Sequence, residues 1–178
     1  MPTLRLATTA DLPEIAALMK SSVDDLFPAF YTGPQSASAA VYLTEPDTVL
    51  LDDGTYFVQH TEAGEIVACG GWSKRDKLYT GSGAQPGDAR MLDPATEPAR
   101  VRAMFVRGDW TRRGLGRAIL DACVKAATEC GFTSLTLMAT LPGVPLYQAY
   151  GFQESRKTMV PLPDGVFLEG VEMHYPLT

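Results

Sequence analysis

The hexapeptide RRGLGR, residues 112 to 117, lies between an apolar run that reads as a strand and an apolar, periodic run that reads as a helix. A helix that begins at Arg113 or Gly114 leaves its first amide N–H groups unpaired, with the positive end of the helix dipole behind them. An anion fits there. Gly114 and Gly116 carry no side chains to keep a phosphate off those amides, and Arg112, Arg113 and Arg117 can add charge-assisted contacts. The chemistry this spacing suits is the binding of a phosphate or diphosphate. The same residues also fit a plain turn, with glycines that permit it and arginines that solvate it. Two other phosphate motifs are excluded: neither GxxxxGKS nor GxxxxGKT occurs, and Ile119 stands where a third dinucleotide-binding glycine would be needed.

The elements around this junction follow from hydrophobic periodicity. Residues 4 to 7 form a short extended run, and Thr8 or Thr9 offers a hydroxyl cap to DLPEIAALMKSSVDDL, where Leu12, Ile15, Ala16, Leu18 and Met19 recur at helical spacing. PAFYTGPQ, 28 to 35, breaks the pattern, and SASAAVYL reads as a short second helix. Runs 55–61 and 65–73 flank a turn at Glu62 to Gly64 and predict a hairpin. The polar stretch 74 to 98 is long for a loop and fits either an active-site lid or a surface insertion. ARVRAMFV is a strand. LGRAILDACVKAATECG places Leu115, Ile119, Ala122, Cys123, Ala126 and Cys130 on one stripe, so both cysteines are expected in the core, with Gly131 as a C-terminal cap. FTSLTLMA is the next strand and PLYQAY a short helix, followed by a second hairpin through PLPDG.

Composition bounds the rest. The 178 residues suit a single domain, 1–178, and 46% hydrophobic content suits a packed core. With 15 basic and 21 acidic side chains the net charge is −6, which disfavours a nucleic-acid surface and suits a cationic small molecule. Cys69, Cys123 and Cys130 form no CxxC spacing, so neither a disulfide framework nor a metal site is expected and a reducing cytoplasm is the plain reading. The first residues show no export signal, and no apolar run approaches the roughly 20 residues of a membrane span.

MFVRGDWTRRGLGRAIL, 104 to 120, together with LYQAYGF, 146 to 152, resembles the acetyl-CoA-binding core of the GNAT superfamily of N-acyltransferases. TRRGLG, 111 to 116, matches the cofactor-loop pattern (Q/R)xxGxG/A, and LRLATTADLPEIAALM resembles the usual first strand and helix. Thr111 replaces the usual glutamine or arginine, Gly108 stands where proline is common, and Thr140 replaces a frequent asparagine.

The resemblance implies a three-layer α/β (α+β) fold, a mixed central sheet of about six to seven strands flanked by helices, with splayed central parallel strands over 101–106 and 134–139. It implies that Met104, Phe105 and Val106 pair their main chain with the pantetheine arm of acetyl-CoA, as a peptide adds to a sheet edge. Thr111, Arg112, Arg113, Gly114, Leu115, Gly116, Arg117 and Thr140 complete the cofactor site it implies, with Tyr147. It further assigns Tyr147 as general acid to the departing thiolate and the Val106 N–H as oxyanion donor, while Tyr150 suits packing. Relatives often place a base just before the strand that leads to the cofactor loop. Here Glu97 is the nearest candidate, with Asp93, His60, His174, Glu172 or a water chain as others. Trp72, Trp110, Phe27, Phe30 and Tyr31 are candidate walls of an acceptor pocket, although core packing suits most aromatics.

The implied activity is acetyl transfer from acetyl-CoA to a primary amine of a small molecule, by direct attack and without metal, nucleic acid or membrane. Transfer to a protein amine and a non-catalytic acyl-CoA sensor are the alternatives. Relatives often dimerise through C-terminal strands, which makes 166–177 the segment implied for a homodimer.

Overall fold

The structure, a computed structural model, describes residues 1–77 and 90–177. Among the described residues five α-helices form, at Leu12–Leu26 (α1), Gly33–Tyr42 (α2), Thr48–Asp52 (α3), Leu115–Glu129 (α4) and Val144–Tyr150 (α5). The strands are Thr3–Leu6 (β1), Tyr56–His60 (β2), Ile66–Ser73 (β3), Ala99–Val106 (β4), Ser134–Thr140 (β5), Gln153–Pro161 (β6) and Phe167–Pro176 (β7). They make one seven-stranded sheet in the order β1-β2-β3-β4-β5-β7-β6. Every neighbour is antiparallel except β4 and β5.

The alternation along the strands gives the sheet two buried faces. Ile119, Leu120 and Cys123 of α4 pack with Leu135, Leu137 and Met173 on one. Ile15, Leu18 and Met19 of α1 pack with Tyr56, Val58 and Ile66 on the other. Three layers result.

Some boundaries differ from the sequence reading. The second helix begins at Gly33, inside the stretch expected to break it, because Pro34 sits in the first turn, where no amide donor is needed, and Thr32 and Gln35 form a capping box. Cys130 is exposed rather than in the core: α4 ends at Glu129, so Cys130 falls at its C-cap, outside the buried stripe. The segment implied for a dimer, 166–177, is essentially β7, which β5 and β6 flank on both sides. The free edge at that end belongs to β6. Of the expected lid at 74–98, residues 78–89 lie outside the described residues. Its flanks are held together by the Arg75–Met91 bridge and by Arg90 and Arg100 on Asp76.

The feature that positions the site is a bulge in β4. Gly71 pairs with Arg102 and Cys69 with Phe105, so Ala103 and Met104 together oppose Gly70 alone. Ala103 takes φ 54, a left-handed conformation its β-carbon disfavours. The Tyr56 hydroxyl, fully inside the protein, donates to the Ala103 carbonyl at 2.7 Å and holds this turn of the strand. Met104 packs over Gly70, where a β-carbon would stand 2.7 Å from its sulfur. β4 has already left β5 before the bulge is reached: the two are in register only at Ala99–Leu135 and Arg100–Thr136.

Candidate active site

The divergence of β4 from β5 opens a cleft of about 590 Å³. At one end lies the start of α4. Gly114 caps it with φ 82 and no side-chain cap, and the first carbonyl used is that of Gly114, by Ala118 N–H at 3.0 Å. The N–H groups of Leu115, Gly116 and Arg117 have no hydrogen-bond acceptor among the described residues. Nothing stands within 4 Å of where a Gly114 β-carbon would be, so an anion can approach. Gly116 works differently from the sequence reading. A β-carbon there would lie 2.6 Å from Leu146 Cδ2, so this glycine lets α4 pack close to α5 rather than clearing space for phosphate.

Arg112 and Arg117 line this end of the cleft, Arg117 also lying over the Tyr150 ring at 5.3 Å. Arg113 is not brought to the cleft: its guanidinium stacks on Trp110, 4.6 Å from the ring centroid. The Thr111 hydroxyl donates to Gly108 O at 3.1 Å and closes the turn before the helix.

Along β4 the main chain alternates. Arg107 N–H donates to Val67 O at 2.9 Å, and Val106 is opposite Ala68. By antiparallel alternation Val106 therefore directs its N–H and C=O away from β3, into the cleft, while Phe105 uses its own on Cys69. Phe105 is thus not a main-chain partner for a ligand. The Ser22 hydroxyl of α1 donates to Val106 O at 2.8 Å and fixes that peptide. Ser22 escaped the sequence reading, although a hydroxyl on the stripe Ile15, Leu18, Met19, Val23 is a signal that a buried acceptor needs a donor.

Tyr147 lies on α5, 8% exposed, lining the cleft and packed edge-on to Phe152. Its hydroxyl makes no hydrogen bond among the described residues. Burial pushes its pKa above the usual 10, with the nearby Cys123 thiol adding to the effect, so the phenol stays protonated. Thr140 ends β5 at the same wall.

Glu97 does not reach the cleft. Arg90 donates to both its oxygens, at 3.0 and 2.7 Å, and Asp93 N–H to one. Arg90 first, then Asp93 N–H, hold its pKa down to about 2, which makes it a very weak base. The other candidates are also elsewhere: Glu172 binds Arg156 at 3.0 Å, His60 lies beside Thr61 O, and His174 is exposed. Of the aromatic candidates, Phe27, Phe30, Tyr31 and Trp110 line the cleft, whereas Trp72 is in the core against Phe132. The Tyr31 hydroxyl donates to Glu169 O at 2.7 Å and accepts from Leu141 N–H at 2.9 Å, bridging β7 to the chain that follows β5. Arg102, 5% exposed, and Glu169 complete the polar lining and were not singled out in the sequence.

The sequence profile of the Acetyltransferase (GNAT) family matches residues 19–152. The chain belongs to this family. GNAT membership makes it an acetyltransferase, and solved structures agree on the fold. It is similar to a GCN5-related N-acetyltransferase of Rhodopseudomonas palustris, with 19% identity, TM-score 0.72 and coverage of 99% of this chain and 96% of that one. The PaiA N-acetyltransferase of Thermoplasma acidophilum, solved with coenzyme A, shares 11% identity at TM-score 0.68, with 99% of each chain covered. A phosphinothricin acetyltransferase of Sinorhizobium meliloti, solved with acetyl-CoA, shares 21% at TM-score 0.65, covering 99% of this chain and 88% of that one. Comparison with curated proteins finds no match.

The residues of this GNAT chain fit coenzyme A. Three acceptor-less amides, an open Gly114 and two arginines suit a diphosphate, and the outward-facing Val106 peptide suits an extended amide-bearing arm. Among the described residues no three His, Cys, Asp or Glu side chains gather to hold a metal ion, and no helix is long and apolar enough to cross a membrane.

Proposed function

We propose that this protein transfers the acetyl group of acetyl-CoA to the primary amine of a small molecule by direct attack. One observation carries the reading: the bulge at Ala103 turns the Val106 peptide into a cleft that also holds Tyr147 and ends on the free amides of α4.

Acetyl-CoA supplies the activated carbonyl. The amides of Leu115, Gly116 and Arg117, with Arg112 and Arg117, bind its diphosphate. The Val106 N–H donates to the carbonyl oxygen where charge develops, in a wall already fixed by Ser22. Tyr147, kept protonated by burial, gives its proton to the departing sulfur as the C–S bond breaks, and the proton the amine nitrogen sheds as the C–N bond forms passes through water to restore the phenol. A cysteine intermediate is disfavoured because Cys69 and Cys123 are buried with raised pKa values, Cys69 at about 12, and neither they nor Cys130 line the cleft. A cleft of about 590 Å³ suits a small acceptor. Three free thiols suit a reducing compartment, and we place the protein in the cytoplasm.

The test is thiol release from acetyl-CoA over a panel of amines, with calorimetry of acetyl-CoA binding. Tyr147→Phe is expected to lower kcat about 100-fold while the acetyl-CoA Kd stays within about threefold. Tight acetyl-CoA binding with no amine turned over, and no effect of Tyr147→Phe, would favour a sensor instead; turnover of peptide amines alone would favour a protein acetyltransferase.

A further inference from the structure

A side chain stands in the ladder where β5 and β7 part. Leu177 N–H donates to Thr133 O at 2.9 Å, so in this antiparallel pair the bonded positions recur at every second residue, Leu135–Tyr175, Leu137–Met173 and Ala139–Val171. Continued by one step, the series reaches Leu141 and Glu169. There the Tyr31 hydroxyl takes the place of the direct bond: it accepts from Leu141 N–H at 2.9 Å and donates to Glu169 O at 2.7 Å. One oxygen atom from the turn after α1 is thus interposed between the two chains just past Thr140, where β5 ends.

The hydroxyl is fixed from its own side. The Tyr31 ring is buried, 5.1 Å from the Phe27 ring between centroids, in a cluster with Val23, Leu43, Leu162 and Leu168. Burial raises the phenol pKa above its usual 10, so the proton given to Glu169 O stays in place. On the other side, Leu141 opens a single 3-10 turn, Leu141–Gly143, closed by Val144 N–H on Leu141 O, and α5 starts at Val144. The Tyr147 ring is seated on that turn: a β-carbon at Gly143 would stand 3.1 Å from its Cε2. A packed phenol, a tethered amide and a tight turn therefore run without a break from the end of α1 to Tyr147.

Resting on the reading of Tyr147 as the acid in acetyl transfer, we propose that Tyr31 is its positioning residue: the Tyr31 hydroxyl, inserted as a rung between β5 and β7, sets the turn 141–143 on which the Tyr147 ring is seated. The ladder already holds the alternative arrangement. Without the hydroxyl, Leu141 N–H and Glu169 O lie opposite each other and bond directly, which draws the turn and α5 toward β7. Neither main-chain group is left unpaired by that closure, so loss of the hydroxyl keeps the fold and moves Tyr147.

The test is Tyr31→Phe, which keeps the ring. Its crystal structure with coenzyme A is expected to show Leu141 N–H on Glu169 O and the Tyr147 hydroxyl displaced by about 1 Å. The acetyl-CoA Kd by calorimetry is expected within about threefold of the parent, which shows the variant folded. In thiol release from acetyl-CoA with the panel amine of highest kcat/KM, kcat is expected to fall about tenfold while the amine KM stays within about threefold. In a Tyr147→Phe background the same substitution is expected to cost less than about twofold, because a residue that acts through the Tyr147 hydroxyl then has nothing left to position. An unmoved Tyr147, a loss of acetyl-CoA binding, an unchanged kcat where Tyr147→Phe is slow, or an undiminished loss in the Tyr147→Phe background overturns the inference. The two readings fail separately. Tyr147 displaced in the crystal while neither single variant alters kcat, or while no amine is turned over, would sink the acid reading and leave Tyr31 as the residue that sets Tyr147. A slow Tyr147→Phe beside an unmoved Tyr147 in Tyr31→Phe would sink the positioning alone.

Discussion

The two ends of the cleft are made of different material. At the α4 end seven consecutive residues, 111 to 117, close a turn, start a helix and present main-chain donors, with Arg112 and Arg117 beside them. At the other end the walls come from α1, from the turn before α2, from Leu43 and from β7, and their contributions are side chains. A main-chain site needs only a helix start and a glycine that can adopt positive φ, so a short run of sequence encodes it. A side-chain site is encoded by which distant segments pack together. The contrast holds even within one motif: Gly114 keeps space open for a ligand, while Gly116, two residues on, serves the packing of α4 against Leu146.

Substitutions can separate the two ends. The largest effect outside Tyr147 is expected from the double variant Arg112→Ala and Arg117→Ala, which should weaken acetyl-CoA binding about 10- to 100-fold by calorimetry and leave the acceptor KM in place. An equal rise in acceptor KM would mean the ends are not independent. Next comes the bulge that both ends share. Tyr56→Phe removes the donor to Ala103 O and should lower kcat/KM about tenfold; adding Ala103→Gly, which adopts φ 54 without steric cost, should recover most of it. Absence of that rescue in a thiol-release assay would detach the Tyr56 hydroxyl from the shape of β4. The smallest effect belongs to Glu97, outside the cleft. Glu97→Gln should leave kcat/KM within about twofold. Because its folded pKa is depressed, the stability Glu97 gains from Arg90 is present above its ordinary value of 4.5 and fades as pH falls through about 2. Thermal midpoints of parent and variant should therefore differ at neutral pH and converge near the acid end of that window.

The sequence was legible where a pattern is local and long. α4 and β4 follow their periodicities closely, and the strand pairs 55–61 with 65–73 and 152–160 with 166–177 form the expected hairpins. α3 went unread because five residues hold too little of a helical period. Glu97 misled because Arg90, seven residues before it, captures the carboxylate, a pairing that depends on how the chain folds back at Asp76 and Asp93. Ser22 and Glu169 were silent because neither stands in a motif; each matters through a segment far along the chain, Val106 for one and Tyr31 for the other.

What the residues alone determined is the anion-binding helix start at Gly114, the tyrosine on the short helix that follows β5, and the order of the strands and of every α-helix but α3, since each rests on neighbours within a few positions. Tertiary structure decided which groups meet. It parted β4 from β5 after Arg100, set the left-handed Ala103 in the bulge that follows, and sent Arg113 to Trp110 and Arg117 to the cleft. The reason is physical: hydrogen bonds and dipoles of a helix terminus are fixed by adjacent peptides, whereas the position of a side chain in a cleft is fixed by packing between segments more than a hundred residues apart.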